Sequence, residues 1–142
     1  METNAWITLK GSQLIDGERE KYELATAGKF VRQGKKYYAS YEGSEITGYD
    51  KSTTTLKISD EAVSMIRFGA DGGASQMIFE EGKRYTGVYK TPYGSLSIDV
   101  CTKNVKINID ENGGDIMLDY SVQLGGTEPV NNQLHVNIRK VD

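Results

Sequence analysis

Residues Ser95–Asp110 read SLSIDVCTKNVKINID. Leu96, Ile98, Val100 and Thr102 share one parity, whereas Val105, Ile107 and Ile109 take the other. Alternation of period two marks a half-buried strand, because successive side chains of an extended chain point to opposite faces. A one-residue slip would carry every later apolar side chain to the wrong face unless the extra residue is absorbed locally. The slip near Lys103-Asn104 therefore predicts a β-bulge or a sharp bend, the device by which a long strand curls.

The same alternation recurs outward from this run. In Asp115–Leu124, Ile116, Leu118, Tyr120, Val122 and Leu124 fall on one face, with Asp119, Ser121 and Gln123 on the other. Leu134, Val136 and Ile138 alternate with His135, Asn137 and Arg139. Further strands are predicted at Trp6–Ile15, Lys36–Glu42, Thr53–Ser59, Ala62–Phe68, Ser75–Glu80 and Lys83–Lys90. The links are turn-rich: Asp16-Gly17, Gln33-Gly34, Asp71-Gly72-Gly73, Glu81-Gly82, Asn112-Gly113-Gly114 and Gly125-Gly126. Short glycine-containing links favour antiparallel hairpins over crossovers, and strands recurring every 8–12 residues or so suit a sandwich or barrel. Gly125–Gln133, GGTEPVNNQ, reads as a loop before the last strand. Closing the sheet removes its edges altogether. With no internal repeat or boundary, residues 1–142 are expected to form one all-β domain, a closed or nearly closed antiparallel barrel of about eight to ten strands in up-and-down hairpins.

One stretch competes with this pattern. Gly17–Gly28, GEREKYELATAG, is rich in helix formers, with Asp16 placed as an N-cap and Gly28 as a stop. Its apolar residues nevertheless lack a helical stripe, and Tyr22, Leu24, Thr26, Gly28 and Phe30 form a period-2 face that favours strand. Ser59-Asp60-Glu61 could cap a short helix, but the alternation of Val63 and Met65 argues for a turn.

A chain of 142 residues with 37% hydrophobic and 26% charged side chains can bury a core of its own, so a disordered protein is excluded. No apolar run is long enough for a membrane-spanning helix, and the start METNAWITLKG lacks the features of a signal peptide. Cys101 is the single cysteine, which fits a reducing compartment. A cytoplasmic location is the expectation. The net charge of −3 gives no electrostatic reason to expect nucleic acid or an anionic membrane as a partner.

Few residues suggest chemistry. His135 is the only histidine, lies on the polar parity of its strand and reads as solvent-facing, which leaves a zinc site short of ligands. Pairing it with Cys101 as nucleophile and base has no orienting residue at a recognisable spacing. Asp110–Asp115 departs from a calcium loop at its fifth and twelfth positions and reads better as a hairpin turn. Ala70–Ala74 has glycines but no following helix, so no phosphate loop is expected there. Glu80 and Glu81 would point to opposite faces of a strand and cannot act as an acid/base pair. Lys35–Tyr41, KKYYASY, holds the ingredients of a single-strand nucleic-acid platform, against the plainer reading of an amphipathic strand with Tyr37 and Tyr41 packed on one side. Tyr89–Gly94, YKTPYG, reads as a turn, with Pro92 and Gly94 at the second and fourth positions of Thr91–Gly94.

More informative are polar side chains sharing parity with apolar ones. Arg67 follows Val63 and Met65, although Ile66 and Phe68 make the neighbouring face apolar too; Tyr41 follows Tyr37, and Tyr89 follows Tyr85. If those faces line a barrel, they must bond one another, a backbone carbonyl or a buried Glu such as Glu42, or else a polar or anionic ligand.

The succession KYYASYEGSE, TTTLKIS, MIFEEGKRY, YKTPYGSLSIDVCTKNVKINID and GGDIMLDYSVQLGG resembles the YwiB family across nearly the whole chain. Its most specific pieces are Tyr38–Glu42, Thr54–Ile58 and Thr91–Gly94. The resemblance implies a small bacterial β-barrel protein of unassigned function with a calycin-like (lipocalin-like) fold, and it supports strand over Tyr22–Arg32. It carries over no catalytic residues. The Gly-x-Trp of lipocalins is incomplete, because Asn4-Ala5 precede Trp6. The expected function is therefore non-enzymatic and cofactor-free: binding of a small molecule at the barrel mouth, with Arg67, Tyr41, Glu42 and Tyr89 as polar contacts. The alternative is a packed barrel used for protein–protein contact.

Overall fold

The computed structural model describes residues 2–43, 52–69 and 73–141. Every regular element among them is a strand: β1 (Ala5–Ile15), β2 (Glu18–Gln33), β3 (Lys36–Glu42), β4 (Ser52–Ile58), β5 (Ala62–Gly69), β6 (Ala74–Glu80), β7 (Arg84–Thr91), β8 (Gly94–Asp110), β9 (Gly113–Leu124) and β10 (Val130–Lys140). Each strand pairs antiparallel with its sequence neighbours, and β1 pairs with β10, so the sheet closes into a ten-stranded barrel. The ladders lack an open edge at the ends of the chain, as the hairpin pattern predicts.

Alternation sets the inside of the barrel. Ala5, Ile7 and Leu9 of β1, Leu56 and Ile58 of β4, Val63 and Met65 of β5, Ile116, Leu118 and Tyr120 of β9, and Leu134, Val136 and Ile138 of β10 are buried together. Each fully buried Ile or Leu stabilises the barrel by about 1.5–3 kcal/mol relative to exposure. Phe79 and Tyr120 meet edge-to-face at 4.6 Å, and Phe30 stacks on Tyr37 at 5.5 Å. Tyr37 and Tyr41 thus belong to the packed interior, as the amphipathic-strand reading of Lys35–Tyr41 requires.

The parity slip in β8 is a register shift between Thr102 and Asn104 against β9. Glu81 serves it, its carboxylate accepting the Val105 N–H at 3.1 Å. Glu81 stands in the β6–β7 turn, where the Glu81-Gly82 link predicts it. The buried hydroxyl of Thr102, beside the shift, has no hydrogen-bond partner among the described residues.

Glu18–Gly28 of this stretch is strand, because β2 pairs with β1 from Glu18 to Gly28. Asp16 and Gly17 both take positive φ (51° and 80°), the two-residue arrangement whose twist matches that of the flanking strands. Helix propensity loses here to pairing along the whole of β1. The loop assigned to Gly125–Gln133 is corrected at its C-terminal end: Val130–Gln133 belong to β10, opposite Val122–Asp119 on β9. Asn132 is buried there and its amide donates to the Val130 carbonyl at 2.9 Å. Asn and Gln have low strand propensity, and pairing on both sides overrides it.

The remaining turn expectations divide. Ser59 closes a turn to Ala62, with its backbone N–H 3.0 Å from the Ala62 carbonyl. Asp110 accepts the Asn112 N–H at 2.8 Å in the β8–β9 turn. Ala70–Gly72 of the Ala70–Ala74 stretch lie outside the described residues.

Candidate functional site

Ladder register places the sequence-predicted polar residues. Tyr41 pairs with Thr54, Thr54 with Arg67, and Arg67 with Ser75, forming one row across β3–β6 on the inner face. The Arg67 guanidinium donates from Nε to Thr54 Oγ1 at 3.0 Å, and Tyr41 is 4% exposed. Two of the four predicted contacts therefore share a layer. Glu42 does not join them: it is exposed on the opposite parity from Tyr41, so its assignment as a buried partner is corrected. Tyr89 is 38% exposed and pairs with Leu96 near the β7–β8 turn.

That turn is where YKTPYG was placed. Thr91 pairs with Gly94 around Pro92-Tyr93, and Thr91 Oγ1 both donates to the Gly94 carbonyl at 2.8 Å and accepts the Tyr93 N–H at 3.2 Å. Tyr93 projects fully into solvent.

The most sparsely paired part of the wall among the described residues lies between β6 and β7. Their ladder consists of one pair, Ala74 with Lys90, whereas β5 and β6 pair from Ala62–Glu80 to Phe68–Ala74. Gly87 makes the closest approach possible: a Cβ there would stand 3.0 Å from the Gln76 carbonyl oxygen. Around this seam lies a cleft of about 380 Å³. Inner-face residues Met77, Tyr85 and Val100 contribute to it together with outer-face Ile66, Phe68, Ile78 and Val88. Phe68 and Val88 are 59% and 50% exposed, so its outer lip is apolar and open to water. Arg67 does not line it, but its register partner Ser75 does.

The electrostatics of the cleft are uneven. At one end Glu80 accepts from Lys83 at 2.7 Å and from the Tyr85 hydroxyl at 2.8 Å. Lys83 first, and then Tyr85, hold the Glu80 carboxyl below the usual glutamate range, while that bond and burial raise the Tyr85 phenol. Asp99, which accepts from Thr86 at 2.6 Å and Arg84 at 2.7 Å, is likewise lowered, chiefly by Thr86. Lys90 is the one charged side chain of the lining and has no ion pair among the described residues.

Other candidate chemistry disperses. Cys101 is exposed and pairs with Ser121, whereas His135 pairs with Met117, four residues away along β9, so the two do not meet. His135 is less simply solvent-facing than its parity suggests. Its Nε2 lies 2.8 Å from Asp115 Oδ1, which also accepts from the Asn137 amide at 2.9 Å. Asn137 and then His135 lower the Asp115 carboxyl. No group of three or more His, Cys, Asp or Glu suited to a metal occurs among the described residues.

Sequence reading missed the cleft, although its signal was present in the apolar character of both faces around Ile66 and Phe68. A strand with two apolar faces needs cover on both.

A closed antiparallel barrel with a cleft in one wall is the class of protein that fold and site define, and the chain belongs to the family described as a domain of unknown function (DUF1934), which matches residues 7–136. It is 30% identical over 128 residues to the uncharacterized β-barrel protein YwiB of Bacillus subtilis (strain 168), covering 88% of this chain and 87% of that protein. The crystal structure of the ywiB protein from Bacillus subtilis superposes with a TM-score of 0.81 at 25% identity, over 99% of this chain and 93% of that one. The relative is a bacterial barrel without an assigned function. No helix of the described residues is long and apolar enough to cross a membrane.

Proposed function

We propose that the protein is a non-enzymatic barrel that binds a small, largely apolar molecule, and that the ligand enters through the wall between β6 and β7. The observation that carries this reading is the 380 Å³ cleft at the one seam where ladder pairing is reduced to Ala74–Lys90. Its size falls at the small end of the range of ligand sites, about 300–1,000 Å³, and its lining has their character, apolar with a few polar groups. The mouth residues keep a secondary role, since Ser75 joins the cleft to the Arg67–Thr54–Tyr41 row.

Titration with the neutral, environment-sensitive dye Nile red tests the reading. Saturable enhancement is expected, and Val88→Asp should abolish it by placing a carboxylate on the apolar lip. Met117→Asp, at an equally exposed outer position of β9, should leave it unchanged. Equal loss in both variants, or no saturable binding, would sink the cleft as a site.

A second reading has its own support. Outer-face Phe68 of β5 and Val88 of β7 are both well exposed, an apolar surface suited to contact with another protein.

A further inference from the structure

Resting on the cleft reading, we infer that the ligand is a free single-chain amphiphile with an anionic head group, whose head is held by Lys90 and whose tail lies along the seam. Three observations converge on this chemistry. The first is charge. Among the described residues, Lys90 is the only ionic side chain lining the cleft, no carboxylate lines it, and Lys90 has no ion pair. The acids nearest the other end are committed elsewhere, Glu80 to Lys83 and Asp99 to Arg84. An anion is therefore favoured at one end only, and a cation finds no counter-charge among the described lining residues.

The second observation is position. On the outer face Phe68 pairs with Ala74 and Ala74 with Lys90, which sets the Lys90 backbone two strands, roughly 10 Å, from that of Phe68. The small alanine between them leaves the floor low. A head group at Lys90 directs its tail back between Ile66, Ile78 and Val88, where the stem of the lysine itself adds apolar surface.

The third is capacity. At about 30 Å³ for each water-sized group, the cleft accepts roughly a dozen such groups, enough for a chain of medium length.

Displacement of Nile red by decanoate, decanol and decyltrimethylammonium, on the whole chain, tests the inference. Decanoate should displace the dye about tenfold better than decanol at low salt, with the advantage shrinking as ionic strength rises. Decyltrimethylammonium should be the weakest. Lys90→Gln should bring decanoate down to the level of decanol and leave decanol unchanged, whereas Lys106→Gln on the outer face of β8 should alter neither. Decanol binding as tightly as decanoate, or a preference that survives Lys90→Gln, would overturn the anionic head while leaving the cleft reading intact. Failure of all three chains to bind would overturn both. Pelleting with phosphatidylglycerol vesicles separates the source of the anion: retention that decanoate cannot reverse would overturn a free ligand in favour of a membrane surface.

Discussion

Two sides of the same barrel are built differently. Around β9 the wall is continuous: β9 pairs with β8 from Gly113 to Leu124 and with β10 from Gly113 to Val122, and β1 continues the ladder along β10. Its inner residues Ile116, Val136 and Ile138 are at most 1% exposed. Around β6 and β7 one pair joins the strands, and apolar side chains occupy both faces. The first region closes the barrel and packs it. The second keeps the barrel closed in topology while leaving a cleft in its wall. The contrast teaches that closure and continuity are separable: a cylinder of strands tolerates one poorly paired seam when the other ladders are continuous and a core is packed inside them.

Truncation should separate the two regions most clearly. Ile116→Ala is expected to cost about 2–5 kcal/mol, because it opens a cavity in a packed and fully enclosed site. Ile78→Ala, at the half-exposed lip of the cleft, should cost under about 1 kcal/mol and should weaken dye binding instead. Urea unfolding of both variants checks this, and equal costs would erase the distinction between packed wall and seam.

Next in size is a gain at the bulge. Thr102→Val keeps the shape and removes a buried hydroxyl that lacks a partner among the described residues, so it should stabilise by about 1 kcal/mol. A loss of stability would mean that the hydroxyl is satisfied in solution.

The smallest effect is a pH dependence confined to the seam. Glu80 is held below the ordinary glutamate value of 4.5 by Lys83 and Tyr85. A depressed carboxyl contributes stability that is complete above its unfolded value and lost as pH falls through its folded one. Amide exchange in β6 and β7 should therefore speed up as pH drops below 4.5, beyond the intrinsic change, while β9 and β10 stay protected. Glu80→Gln should remove the dependence. Its persistence in that variant would assign it to another group.

Much of this fold was legible in the chain. Alternation identified nearly all of the strands, the parity slip at Lys103-Asn104 located the bulge, and Asp-Gly and Asn-Gly-Gly links identified hairpin turns. The misplacement at Val130–Gln133 has a plain cause: VNNQ is polar locally, and only pairing with both β9 and β1 makes it strand. The candidate site was legible in part. Parity put Arg67 and Tyr41 on the inner face, and register joined them through Thr54. Glu42 was read as an interior partner although it follows Tyr41 by one residue, and the structure places it on the exposed parity.

What the sequence by itself determined is which side of each strand is apolar, where the chain turns, and hence that consecutive strands pair antiparallel. Those features follow from interactions between residues close in sequence and from the period of two. The tertiary structure decided where pairing thins. Ladder pairing at β6–β7 depends on how the strands twist around the whole barrel and on the approach of the Gln76 carbonyl to Gly87, contacts that no local pattern encodes. The cleft, with Lys90 at its end, exists only because of that seam.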